Sequence, residues 1–194
     1  KVAIASAGLG SVYRGVESWS EELAYALHEK DISVKLYKGN GKSNSEIEKV
    51  IPCVIRDSAL SSRILRFMPR VAWRFGFGST LQIEGTTFGF NLLSDIRREK
   101  YDIVHTQEPP LVELLRLAKR LGLIKSKIIL GHGTNETMQF LKQLKYVQFL
   151  TPYHLEQAEK SLGFHRKGWF GIPNFVDVDK FKPVPAGKSI RAEL

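Results

Sequence analysis

A single cysteine, Cys53, stands in 194 residues, so an intrachain disulfide, a CxxC redox pair and a cysteine-based zinc site are excluded. Long apolar runs are missing as well. No stretch approaches the roughly 18 to 20 uninterrupted apolar residues of a membrane-spanning helix, and the chain opens on the strand-like run Lys1 to Ala7 instead of a signal-peptide pattern. HExxH, GxxxxGK and GxSxG are absent, and no His/Cys/Asp/Glu cluster has metal-ligand spacing, which leaves hydrolase, kinase and metalloenzyme readings without support. Acid is also scarce: 20 Asp+Glu face 29 Lys+Arg, a formal charge of +9. The expectation is a soluble or surface-bound protein of a reducing, cytoplasmic compartment. Its basic balance would suit nucleic acid, an anionic membrane or phosphorylated ligands.

What is present is a globular composition, 43% apolar and 25% charged, enough for one domain or one domain and a fragment. Strand-like runs are expected at Lys1 to Ala7, Ile32 to Tyr37, Ile51 to Ile55, Tyr101 to His105, Lys127 to Leu130, Tyr146 to Leu150 and Gly168 to Ile172. Between them, helices are expected. One starts at the capping-box pair Ser18 and Glu21 and ends near Lys30, with Trp19, Leu23, Ala26 and Leu27 on one stripe. Others span Phe88 to Lys100, Pro110 to Leu121, Asn135 to Leu144 and Tyr153 to Leu162. Thr151, Pro152 and Gly163 frame the last of these as cap, first position and stop. Strands alternating with helices of this length predict an α/β fold: a Rossmann-like, doubly wound, mostly parallel sheet with helices on both faces. Ligands of such sheets bind beyond the carboxyl ends of the strands.

Three places there carry candidate chemistry. The loop Gly8 to Gly15 follows the first strand and precedes a helix, as a phosphate-binding loop does. It fits the dinucleotide fingerprint poorly, because Tyr13 occupies the third glycine position and Lys38 ends the second strand where an acid is wanted. A turn for close strand-to-helix packing, or a loop that lets a nucleotide or sugar approach Gly10, Arg14 and Gly15, remains. His132, in Leu130-Gly131-His132-Gly133-Thr134, is either a structural histidine or a bond to a ligand hydroxyl or phosphate oxygen. Gln107 and Glu108 follow a strand end and suit polar contact, although Glu108 equally suits a helix start. His105 lies within its strand and reads as structural.

The middle segment has its own pattern. Arg63, Arg66, Arg70 and Arg74 recur at steps of 3, 4 and 4 among apolar residues, with no acid between Asp57 and Glu84. That is the signature of a basic amphipathic helix for an anionic membrane surface, or of an ordinary surface helix. Pro69 would kink or divide it. No RNA-binding aromatic pattern accompanies the charge, so a nucleic-acid partner is not expected.

The run Gly171-Ile172-Pro173-Asn174-Phe175-Val176-Asp177-Val178-Asp179-Lys180-Phe181-Lys182-Pro183 closely resembles the IPNGVDxxxFxP signature of glycosyltransferase family 4, retaining enzymes of the GT-B fold. Gly15-Val16-Glu17 resembles the family's GGxE, Asp102 to His105 its DxVH, and the strand ending in His132-Gly133 and the helix start from Thr151 also agree in order. The chain departs at Phe175, Arg14 and Gln107, which replace two glycines and a histidine of the family pattern.

The resemblance implies the N-terminal, acceptor-side domain over 1–172, with 173–194 as interdomain linker and the start of a C-terminal donor-binding domain that carries the family's EX7E motif. The implied reaction moves a sugar, of hexose type, from a nucleotide diphosphate sugar to a hydroxyl acceptor with retention, and this part alone would be inactive. No metal or other cofactor is implied. His132 is the implied catalytic residue; Gly10, Arg14, Gly15, Glu17, Gln107, Glu108, Gly133, Thr134 and Asn135 are the implied donor and substrate contacts. Arg63, Arg66, Arg70 and Arg74 would meet the inner face of a membrane, favouring a lipid-linked acceptor or a surface-glycan precursor. A GT-B-fold nucleotide-sugar epimerase and a noncatalytic acceptor- or partner-binding module are the rival readings.

Overall fold

The computed structural model describes residues 1–12, 15–133, 136–175 and 178. Among them, seven strands form one sheet: β1 (Val2–Ser6), β2 (Val34–Lys38), β3 (Glu48–Val50), β4 (Ile103–Thr106), β5 (Lys127–His132), β6 (Tyr146–Phe149) and β7 (Trp169–Gly171). Their order is β3-β2-β1-β4-β5-β6-β7, and every neighbouring pair is parallel. The helices are α1 (Gly15–His28), α2 (Ala59–Phe67), α3 (Thr80–Glu99), α4 (Pro109–Arg120), the single turn α5 (Met138–Leu141) and α6 (Pro152–Leu162). The Rossmann-like doubly wound sheet is therefore as expected. Its order reverses between β1 and β4, and such a reversal opens a crevice at the carboxyl ends of the two strands.

Both faces of the sheet are covered, because alternate residues of a strand point to opposite sides. Ala3 and Ala5 of β1 join Phe88, Leu92 and Ile96 of α3 and Leu111 and Leu115 of α4 in one core. Ile4, between them, joins Ala24 of α1 with Leu36 and Ile47 in the other. The small alanines of β1 leave room for the large side chains of α3 and α4.

Five features differ from the sequence expectations. Helix α3 begins at Thr80, eight residues before the expected Phe88, with the Ser79 side chain accepting from the Gln82 amide as its cap. The third strand is Glu48–Val50, not 51–55, since Pro52 lies inside the expected run and has no N–H to give the ladder. Helix α1 starts at Gly15, so Ser18 lies within it and is not its cap. The helix expected over 135–144 is reduced to α5, capped by the Thr137 side chain, which accepts from the Phe140 amide. Finally, the basic segment is no continuous helix. Met68 is extended, as a residue before proline prefers, and Pro69 caps a separate 3₁₀ turn, Arg70–Phe75. Arg63 and Arg66 are exposed on α2; the side chains of Arg70 and Arg74 fall outside the described structure.

Candidate functional site

At the reversal between β1 and β4, the protein fills its own crevice. Glu108, the residue before α4, does not cap that helix. Its Oε1 instead accepts hydrogen bonds from the Ala7 amide (2.7 Å), the Ser6 hydroxyl (3.2 Å) and the Gly8 amide (3.4 Å). These are the N–H groups that a phosphate-binding loop would offer to a ligand. Around them sit further charges. Arg56 pairs with Glu84 through Nε to Oε2 at 2.6 Å, its backbone amide reaches Oε1 at 3.0 Å, and Nη2 also closes on the carboxylate. A Cβ on Gly8 would lie 2.5 Å from Glu17 Oε1 and 2.8 Å from Arg56 Nη2, so a side chain there would push these two charged ends aside.

The cluster is acidic in a basic chain, and its electrostatics show it. Burial pushes the Glu108 carboxyl up to about 7; the Gly8 and Ala7 amides oppose this, the Glu84 charge adds to it, and Ser6 pulls back. Burial, with the charges of Glu84 and Glu108, pushes the nearby Cys53 thiol up to about 12 against Arg56, which makes it a poor nucleophile at neutral pH. Lys38 is also turned inward: its Nζ lies 2.6 Å from Glu48 Oε2, both side chains sealed from water.

A pH dependence follows from Glu108 and His105. Glu108 binds its proton more tightly folded than unfolded, so its contribution to stability is complete below the ordinary carboxyl value of 4.5 and is lost as pH rises through about 7. Burial, partly offset by the Gln148 hydrogen bond, holds His105 down to about 4, so its contribution is complete above 6.5 and is lost as pH falls through about 4. The two slopes oppose one another in the overlap. Replacing Glu108 with glutamine isolates the first. E108Q is expected to match the wild type near pH 5 and to exceed its unfolding free energy by about 3 kcal/mol at pH 8, measured by chemical denaturation. A difference independent of pH would show that Glu108 does not titrate with folding.

A second, open region lies beyond the carboxyl ends of β5 and β6. A cavity of about 440 Å³ is lined by His132, Gly133, Glu136, His154 and Gln157 over an apolar floor that includes Met138 and Phe149. His132 is the last residue of β5. Its Nδ1 lies 2.5 Å from Glu136 Oε2, and its ring meets Phe149 edge to face at 5.2 Å between centroids. Gln107 approaches from the end of β4: its Oε1 is 3.8 Å from the Cβ position of Gly133, and its Cγ is 2.8 Å from that of Gly131.

Three buried nitrogens, Gln107 Nε2, His105 Nδ1 and Trp19 Nε1, have no hydrogen-bond partner among the described residues. Leaving a buried polar group unsatisfied costs about 1–3 kcal/mol. Trp19 packs at a tilt against His105, with 5.1 Å between ring centroids, and meets Phe175 at 6.4 Å, and Gln148 joins His105 Nε2 (3.0 Å) to the Ile172 carbonyl (3.1 Å). His105 is thus a buried, hydrogen-bonded histidine, as its place within β4 implies.

The structure divides the expected site residues into groups. His132, Gly133 and Gln107 come together; Glu108 and Glu17 meet the β1 loop instead. Gly10 faces Asn40 of the β2–β3 loop, where a Cβ would lie 2.1 Å from the Asn40 carbonyl oxygen, so packing accounts for it. Gly15 has nothing within 4 Å of its Cβ position. Arg14, Thr134 and Asn135 lie outside the described residues, as does most of 173–194. Glu136, His154 and Gln157 escaped sequence reasoning; the i,i+4 spacing of His132 and Glu136 was the one available signal. Among the described residues no three His, Cys, Asp or Glu side chains gather as a metal site, and no helix is long and apolar enough to cross a membrane.

Comparison with known proteins gives a family and a fold. A family model described as Glycosyltransferase Family 4 matches residues 13–180. The apo structure of the lipopolysaccharide outer core galactosyltransferase WaaB is similar with a TM-score of 0.55 at 10% identity, over 91% of this chain and 46% of that one. The chain therefore spans about half the length of that structure, and the likeness is one of fold. A UDP-galactose 4-epimerase structure reaches a TM-score of only 0.36 at 10% identity, over 88% of this chain and 75% of that one. No curated protein matches.

Proposed function

The chain belongs to glycosyltransferase family 4, and from that premise we propose that it forms the acceptor-side half of an enzyme that moves a hexose from a nucleotide diphosphate sugar to a hydroxyl acceptor with retention of configuration. The observation that carries the assignment of this half is Glu108. With its carboxyl on the Ala7 and Gly8 amides, Glu108 takes two of the N–H groups that a nucleotide fold leaves free for phosphate, which disfavours a diphosphate there. The donor's nucleotide is then held by a second domain beyond residue 172, and this half acts on the sugar and its acceptor through the His132 cavity. His132 is the proposed catalytic residue. Gln107 and Gly133 line its approach, Thr134 and Asn135 follow it in the chain, and Arg14, Gly15 and Glu17, in and just before the first turn of α1 in the sequence, are the remaining proposed contacts. No metal or cofactor enters this reading.

Two measurements test it. The chain by itself is expected to show no transfer from UDP- or GDP-hexoses, whereas the full-length protein transfers and its His132→Ala variant loses at least about 100-fold in turnover, the scale of a removed acid–base or positioning group. Unchanged turnover in that variant would remove His132 from the mechanism.

A peripheral membrane position and a lipid-linked acceptor are a second part of the proposal, supported by a surface that the arginine spacing alone did not indicate. Trp73, Phe90, Leu117 and Leu121 are each more than half exposed around a cleft of about 470 Å³ between α3 and α4. Arg116, Lys119 and Arg120 line the opposite flank of α4 with Lys145. Apolar side chains bordered by cations suit an anionic bilayer. The chain is expected to sediment with anionic vesicles several-fold more than with neutral ones, and L117E/L121E is expected to abolish the difference. Equal sedimentation with both vesicle types would end this part.

A further inference from the structure

We propose that Glu136 is the positioning residue of His132, holding its ring in the Nδ1–H tautomer so that Nε2 carries the lone pair and accepts a hydrogen bond from a sugar or acceptor hydroxyl. The proposal rests on the reading of His132 as a group that meets substrate, and it selects between the two ligand atoms left open by the sequence, a hydroxyl and a phosphate oxygen.

The chemistry is set by the donor and acceptor inventory. An ionised carboxylate only accepts, so the nitrogen that faces Glu136 at 2.5 Å carries hydrogen. Neutral imidazole has one N–H, and the hydrogen bond at one nitrogen determines the state of the other. Nε2 is left as an acceptor. A hydroxyl can donate to it, whereas a phosphate oxygen, having no hydrogen to give, cannot.

The surroundings make the pairing persistent. The His132 and Glu136 side chains keep 17% and 7% of their exposure, which limits competition from water. Phe149, itself buried, meets the ring edge to face at 82°, and a flip of the ring, which puts Cδ2 where Nδ1 stands, would forfeit the hydrogen bond to Glu136. Glu136 stands close to two ordered elements: β5 ends at His132, and Thr137, next to Glu136, caps α5. Both partners line the same cavity, together with His154 and Gln157 of α6.

Ring ¹⁵N NMR of the chain tests this directly, recorded at pH values high enough that the His132 shifts have ceased to change. The wild type is expected to show a protonated Nδ1 and an unprotonated Nε2. In Glu136→Ala the ring is expected to move toward the Nε2–H form. A wild-type ring already in the Nε2–H form would overturn the proposal, as would a tautomer unchanged in a folded E136A. The wild-type spectrum decides the tautomer even where the variant does not fold. In the full-length protein, E136A is expected to lower turnover by about 10- to 100-fold, the scale of lost outer-shell orientation, with E136D recovering part of it. Wild-type turnover in H132A beside a shifted tautomer in E136A would overturn the substrate role of His132 and leave the pairing standing.

Discussion

Replacing Arg56 with methionine is expected to destabilise the fold by about 3–5 kcal/mol, the cost of breaking a buried ion pair from one side. The Glu84 carboxylate is fully buried and takes three contacts from Arg56, two from the guanidinium and one from the backbone amide. Only the backbone contact survives the substitution. Glu84 and Glu108 already act on each other, since the charge of the first raises the proton affinity of the second. Without the guanidinium, two buried acids share a site with no cation among their described contacts. The R56M/E84Q double variant is expected to recover most of the loss, because it removes the orphaned charge along with its partner. Urea unfolding at pH 7 gives the comparison. A double variant no more stable than R56M would assign the cost to lost packing instead of charge.

Gly10→Ala is expected to be nearly as damaging, at about 2–5 kcal/mol, for a steric reason. Gly10 has φ +91° and its Cβ position lies 2.1 Å from the Asn40 carbonyl oxygen and 2.5 Å from its carbon, both backbone atoms. A left-handed residue with a Cβ costs about 1–2 kcal/mol, and displacing a packed neighbour costs about 1–3 kcal/mol more. Gly163 is the internal control. It is left-handed too, at φ +77°, but nothing lies within 4 Å of its Cβ position, so G163A should show only the conformational part. Thermal unfolding of the two variants separates the contributions, and equal losses would mean that the Asn40 contact yields without cost.

These two variants mark where local pattern stops being informative. Helix α6 was legible almost to the residue because its signals are local: Thr151 caps it, Pro152 begins it and Gly163 ends it in the left-handed region. The parallel sheet was legible because helices alternate with short apolar runs. Arg56 and Glu84 were not, since they stand 28 residues apart and nothing in a local pattern says that one meets the other. The glycine loop was legible as a loop and not as a site: which side of it takes a ligand depends on Glu108, which reaches it from about a hundred residues away. His132 was visible from its flanking glycines and the strand before it. Glu136 was not, because an i,i+4 relation reads as a contact only in a helix, and α5 starts after it.

The place of β1 in the sheet bears on how the chain is made. One edge of β1 pairs with β2, which follows within about 30 residues, but the other waits for β4, with Val2 against Ile103. At a synthesis rate of about 5–20 residues per second, that edge stays unsatisfied for roughly 5–20 s. During this interval Ala3, Ile4 and Ala5, all fully enclosed in the finished molecule, form a bare apolar template for any passing strand. Non-local parallel pairing of this kind folds slowly, so the nascent chain is exposed to aggregation through this edge until β4 arrives.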